Sequence, residues 1–314
     1  MLVVMFSPLM LLCSFLVVSG PLISISSSSW SGVWVGMELN LFSFLVIMNG
    51  GGSFDLEPVV KYFVVQSMGS VVFIFGVMYM YFFLKNSFII IMMLGLLMKI
   101  GIFPFHSWVP SVVTKSRWVI SGLILTWQKL AGLTFLNLIS SSLIFVSILS
   151  MVVVGSIGGL NQTSVRGMSS YSSFIHMSWM MAGLLSSFYI FFMYFFVYMI
   201  SLFLFFLGCS NSGKNSLVSS SSSLLALVGI FMVMGVPPFI GFLAKLLVLL
   251  SSPTLICVIC LLGSVVSLKF YVCFFYSILL NSSLKGVSSN SIAVSLSLMA
   301  NFLGMLLFTM PFLM

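Results

Sequence analysis

The chain has 314 residues, of which 61% are hydrophobic and only 4% charged, with eleven Lys/Arg against three acids and a net charge of +8. A soluble domain carries about 25% charged residues, so fourteen charged side chains cannot dress a water-facing surface of this size. The composition excludes a soluble enzyme, a nucleic-acid binder and a disordered chain, and it specifies an all-α polytopic membrane protein whose main solvent is lipid.

Apolar runs of spanning length recur in chain order. They predict helices near 2–25, 32–49, 58–83, 87–103, 118–137, 142–160, 169–186, 188–207, 224–250, 254–280 and 290–313. Each is close to the roughly 20 apolar residues that a membrane span needs. The first run holds no Lys or Arg, the earliest being Lys61. It therefore lacks the basic start of a secretory signal and the Arg-rich look of a transit peptide, and it is expected to stay in the mature protein.

About eleven spans would place alternate loops on opposite sides. One side then holds Lys61, Lys115, Arg117, Arg166, Lys214 and Lys285, and the other only Lys85. That asymmetry fits the positive-inside rule, with the N-terminus on the cytoplasm-like or matrix side. Asp55 and Glu57 sit at the expected start of the third helix, where acids suit the helix dipole. The basic residues are scattered singly rather than clustered, which gives nucleic acid no patch to bind.

Two runs carry the same interruption, Gly-x-x-Pro-Phe, at 101–105 and at 235–239. Proline removes a backbone donor and clashes with the preceding turn, so each helix should break there. Freed backbone groups inside a bilayer need protein or water partners. Paired breaks in the two halves of a chain point to a transporter built of inverted repeats, with its pathway at the breaks.

Four ionisable residues fall inside spans. Glu38 lies in the second helix, Lys99 at the first break, Lys129 in the fifth helix and Lys245 just past the second break. An ionisable group near mid-bilayer costs about 2.5–3.5 kcal/mol, a cost that calls for a use. Gly122, Thr126 and Lys129 are spaced by four and three, which puts them on one polar stripe of a continuous helix. Gly95 and Gly241 each precede a lysine by four and leave room for a neighbouring helix or water. Burial disfavours the charged form of each group, and a Glu–Lys pair opposes that effect. Separating or hydrating the partners then releases or captures a proton, which an always-protonated arginine could not do. His106 and His176 are further candidates for carrying a proton between lysines. Lys269 falls within the tenth helix and is assigned no role.

Neither Gly-x-Gly-x-x-Gly nor a phosphate-binding loop is present, so no cofactor site is expected in this chain. Cys257-x-x-Cys260 has no second pair and no nearby His, which favours two small buried residues over a metal or redox pair.

The motif order is specific. Trp34-Val-Gly-Met-Glu38-Leu-Asn40, Glu57-Pro-Val-Val-Lys61, Lys99-Ile-Gly-Ile-Phe-Pro-Phe-His106 and Leu125-Thr-Trp-Gln-Lys129 come first. Gly158-Gly-Leu-Asn-Gln-Thr163, Ser172-Ser-Phe-Ile-His176 and Gly235-Val-Pro-Pro-Phe-Ile-Gly-Phe-Leu-Ala-Lys245 follow. From about 30 to 250 the chain resembles the subunit 2 family of mitochondrial NADH dehydrogenase, antiporter-like membrane subunits of respiratory complex I. Ser-rich stretches at 26–29 and 219–223 and Gly132 depart from the family pattern without touching the charged positions.

The resemblance implies a single antiporter-like domain over 1–314. It would comprise two inverted five-helix repeats, about 31–160 and 169–285, with one broken helix each, and a final helix at 290–313. It implies proton translocation in the mitochondrial inner membrane, with Glu38 as modulating acid, Lys99 as its partner, Lys129 as connecting lysine and Lys245 at the exit. NADH, FMN, iron–sulfur clusters and ubiquinone would belong to other subunits. The partners would be the other membrane-arm subunits and lipid, and the chain would not function alone. A free-standing cation/proton antiporter and a non-conducting scaffold are the alternatives. The short length argues against the first, and the costly buried charges argue against the second.

Overall fold

The computed structural model describes residues 8–50, 56–83, 89–136, 141–210, 220–283 and 301. Asp55, Lys85, Lys214 and Lys285, and all of the expected helix 290–313 except residue 301, lie outside the described residues. Those described form helices joined by short turns, with no strand among them. Seven helical stretches are long and apolar enough to cross a membrane, and three shorter apolar helices accompany them among the described residues.

The chain divides into two compact units, Met1–Ser147 and Ile148–Met314. In the first unit, α1 (Pro8–Ser26) packs along α2 (Trp30–Asn49), and α3 (Leu56–Phe83) packs along α4 (Ile89–Ile100). Ser29 caps α2, its hydroxyl accepting from the Gly32 amide at 3.2 Å, which satisfies one of the amides that a helix start leaves open. Helices α3 and α4 meet through Gly69 and Gly95. A methyl group on Gly95 would lie 2.8 Å from the Gly69 carbonyl oxygen, and one on Gly69 would lie 2.8 Å from Lys99 Cγ. The small residues thus let the two backbones touch where Lys99 stands.

After α4 the chain turns through 101–107 into α5 (Trp108–Val113). Next come α6 (Trp118–Leu125) and α7 (Trp127–Leu136), separated by Thr126 at φ −120° and ψ −87°. The uninterrupted helix expected over 118–137 is therefore two helices in one span. The stripe read through Gly122, Thr126 and Lys129 crosses their junction. Thr126 is tied to α6 by its hydroxyl, 2.7 Å from the Gly122 carbonyl. Trp127 starts α7 by donating its indole N–H to the Val17 carbonyl of α1 at 2.9 Å. Neither bond has a signature in hydropathy.

The boundary between the units falls inside α8 (Ser141–Leu160). At the centre of the second unit is α9 (Val165–Ser186), buried without a gap from Ser172 to Leu184. Its serine hydroxyls bond to carbonyls of their own helix three residues back, as Ser173 does to Ser170 at 2.6 Å. The serine hydroxyls of this helix can therefore be buried without being left unsatisfied. Around it stand α10 (Phe188–Ser210), α12 (Ile240–Ser251) and α13 (Thr254–Ser283), and α11 (Ser220–Met234) packs on α10 and α13.

Candidate functional site

Both Gly-x-x-Pro-Phe segments end a helix in the same way. Gly101 has φ +80° and Gly235 φ +74°, a left-handed conformation that costs a residue with a Cβ about 1–2 kcal/mol. The amide of Ile102 reaches back to the Leu97 carbonyl at 3.0 Å, and that of Val236 to Phe231 at 3.3 Å. These six-to-one bonds are the Schellman closure of a helix end. Each turn then closes on the motif's phenylalanine, Phe105 to Ile102 at 2.8 Å and Phe239 to Val236 at 2.9 Å.

The last carbonyls of α4 are satisfied from three directions. Leu97 accepts from Gly101 and Ile102, Met98 from the Trp108 indole at 3.2 Å, and Lys99 from the Gln66 side chain at 2.8 Å. A helix that stops inside a membrane needs such partners, because lipid offers none. Gln66 on α3 is therefore part of the break, although its sequence neighbourhood gave no hint of that.

The Lys99 side chain points away from the turn. Its ammonium nitrogen lies 3.2 Å from a carboxylate oxygen of Glu38, with side-chain exposures of 7% and 16%. This is the one acid–base pair within helices that the described residues bury. In a nearly dry pair each partner offsets part of the other's desolvation, and removing either leaves the other unpaired.

Beside the pair is a cavity of about 20 Å³ bounded by Asn40, Tyr62, Gln66, Lys99 and Gln128. That volume suits one water molecule, and the walls offer it several polar partners. Asn40 and Gln128 exchange amide hydrogen bonds at 2.7 and 3.1 Å, and the Tyr62 hydroxyl adds a third at 3.3 Å. Asn40 comes two residues after Glu38, and Gln128 immediately precedes Lys129. Lys129 itself is 3% exposed. The amide pair thus joins the helix of Glu38 to the helix of Lys129. The signal that could have found it is two amides flanking ionisable residues within apolar spans.

In the second unit, Lys245 donates to the Met234 carbonyl at 2.7 Å, at the very end of the helix that the second break terminates. Gly241, one turn before, lies against the Met232 carbonyl, where a side chain would not fit. His176 is buried on α9 between two hydroxyls, with Nδ1 2.9 Å from Tyr194 and Nε2 3.4 Å from Tyr271. Tyr198 lies along its ring, centroids 4.7 Å apart. His176, Tyr194, Tyr198 and Lys245 border one small cavity. Sequence reading found the histidine and missed all three tyrosines, because aromatics are everywhere in this chain.

His106 lies in the first turn, half-buried and stacked on Phe103 at 5.8 Å. The described residues bring Glu38 to Lys99 and His176 to the cavity of Lys245. Glu57 joins neither set. In the first turn of α3, it accepts from both Lys61 and Lys115 at an exposed position.

These features define a class: an all-helical membrane protein of the antiporter-like kind, with lysines placed at helix interruptions. Residues 27–270 match the family model described as NADH:quinone oxidoreductase/Mrp antiporter, transmembrane. The fold superposes on a chain of respiratory complex I from Thermus thermophilus with a TM-score of 0.77 at 20% identity, covering 93% of this chain and 76% of that one. A chain of the Mrp complex from Dietzia gives 0.76 at 14% identity, covering 88% and 60%.

Among sequence relatives, NADH-ubiquinone oxidoreductase chain 2 of Mytilus edulis is 49% identical over 84% of each chain. That of Anopheles gambiae is 34% identical over 92% of each. The chain belongs to the NADH-ubiquinone oxidoreductase chain 2 family.

Proposed function

We propose that the chain is a proton-translocating membrane subunit of the NADH:ubiquinone oxidoreductase of the mitochondrial inner membrane, respiratory complex I. Membership in the chain 2 family supports the assignment to that enzyme. The observation that carries the proton function is the buried Glu38–Lys99 pair at 3.2 Å beside an interrupted helix. In this reading the chain has eleven spans with its N-terminus on the matrix side. They form two inverted five-helix repeats, each with one span broken at its Gly-x-x-Pro-Phe segment. Redox cofactors reside in other subunits, and this chain binds neither NADH nor quinone.

The chemistry follows from the pair. While Glu38 faces Lys99, the carboxylate stabilises the ammonium. Displacing Glu38, or admitting water to the cavity beside Lys99, alters that balance, and a proton leaves or enters. Lys129 and Lys245 then act in series, with His176 able to take a proton on one ring nitrogen while releasing one from the other. His106 is a secondary candidate at the first turn. Electron transfer elsewhere in the enzyme drives the change by moving charge or hydration at Glu38.

The test is substitution within the assembled enzyme. Glu38→Gln and Lys99→Met are each expected to reduce coupled NADH oxidation by roughly 10-fold or more, since positioned acid–base groups contribute about 10²–10⁴-fold. The amount of assembled complex is measured alongside, since each variant leaves one partner of the pair unpaired. Full proton pumping in both variants would sink the relay and leave a structural subunit.

A further inference from the structure

Helix α13 carries a cation that has no partner among the described residues. Lys269 is exposed and makes no ion pair or hydrogen bond among the described residues. It stands inside the apolar span Thr254–Ile278. The nearer end is nine residues away, about 14 Å along a helix axis. A four-carbon stem is shorter than that distance, which sets the ammonium within the apolar span.

The face around it has a regular pattern. Val258, Leu262, Val265, Lys269, Val272 and Tyr276 are all exposed and follow one another at spacings of four, three, four, three and four. That is one face of the helix, and a lysine within it would fix the register of a helix packed against it. The counter-charge cannot come from the unit that carries Lys269. Residues 148–314 hold five basic residues and no Asp or Glu. All three acids of the chain precede residue 58. Of these, Glu38 is engaged with Lys99, and Glu57 with Lys61 and Lys115.

We propose that this stripe of α13 docks a transmembrane helix of a different subunit, and that the helix presents a carboxylate to Lys269 within the bilayer. The inference rests on reading the chain as one subunit of a larger membrane assembly. It concerns docking and not proton transfer. An anionic lipid would meet the ammonium at the headgroup level, which Lys269 does not reach. The bilayer interior supplies no acid other than a protein carboxylate.

The test uses the native assembly. A structure of it is expected to place an Asp or Glu oxygen of another chain within about 4 Å of Lys269 Nζ, with that chain's side chains against Val265 and Val272. Lys269→Leu should raise the fraction of complex that dissociates in mild detergent several-fold, and Lys269→Arg should not. The sign is informative, because a leucine on a lipid-facing surface would leave the assembly as stable as before or more so. Acyl chains, a lipid phosphate or this chain's own residues around Nζ would overturn the proposal, as would an assembly indifferent to Lys269→Leu. Turnover of the Glu38 and Lys99 variants reads the relay and dissociation of the Lys269 variants reads the docking face, so the two failures are separately visible.

Discussion

Lys245 reaches back across the turn that precedes its own helix and donates to the carbonyl of Met234, 2.7 Å from its ammonium nitrogen. Lys99 does the opposite: it stands at the end of a helix and reaches outward to Glu38. Two lysines at two similar breaks therefore hold different partners, one a carboxylate and the other a backbone dipole.

Lys245→Met is expected to have two effects. The Met234 carbonyl loses its side-chain donor, at about 1 kcal/mol for a half-buried group, and the turn 235–239 loosens. Amide exchange in that turn should rise relative to α10 when the assembled enzyme is followed by mass spectrometry. Coupled turnover should fall by at least roughly 10-fold. Unchanged exchange with lost turnover would separate the structural role from the protonic one.

The Asn40–Gln128 exchange predicts a non-additive pair. Gln128→Leu strands the Asn40 amide and the Tyr62 hydroxyl, and Asn40→Leu leaves Gln128 with the Tyr62 hydroxyl, each at a cost of about 1–3 kcal/mol. The double variant removes both amides, leaves the Tyr62 hydroxyl without Gln128, and should recover part of that loss. Thermal dissociation of the complex across the four members of the cycle measures the coupling. Additive losses would mean that the two amides do not depend on each other.

Gly101→Ala and Gly235→Ala should both be destabilising, because each residue sits at positive φ, at a cost of about 1–2 kcal/mol. The first should be worse. A methyl group at Gly101 meets Val109 and the Trp108 ring, whereas one at Gly235 meets only the flexible Lys245 side chain at 3.1 Å. The yield of assembled complex after each substitution gives the ranking.

His176 is held by a short bond on one ring nitrogen and a long one on the other. Tyr194→Phe is therefore expected to lower coupled turnover more than Tyr271→Phe, by several-fold. Equal and negligible effects would assign His176 to packing. Measuring turnover together with the amount of assembled complex distinguishes that outcome from misfolding.

Hydropathy alone determined that this chain is a helical membrane protein, because only a run of apolar residues satisfies both the bilayer and its own backbone. It also located the two turns, since glycine and proline act on the local chain whatever surrounds them, and it singled out Glu38, Lys99, Lys129 and Lys245 as ionisable residues within apolar spans. The tertiary structure decided the rest. It chose Glu38 as the partner of Lys99 and Met234 as that of Lys245, split the span at Thr126, closed an amide bridge between Asn40 and Gln128, and set three tyrosines around His176. These choices depend on which faces of different helices meet. Such contacts arise from side-chain volumes and small-residue gaps spread over distant segments, so no window of sequence contains them.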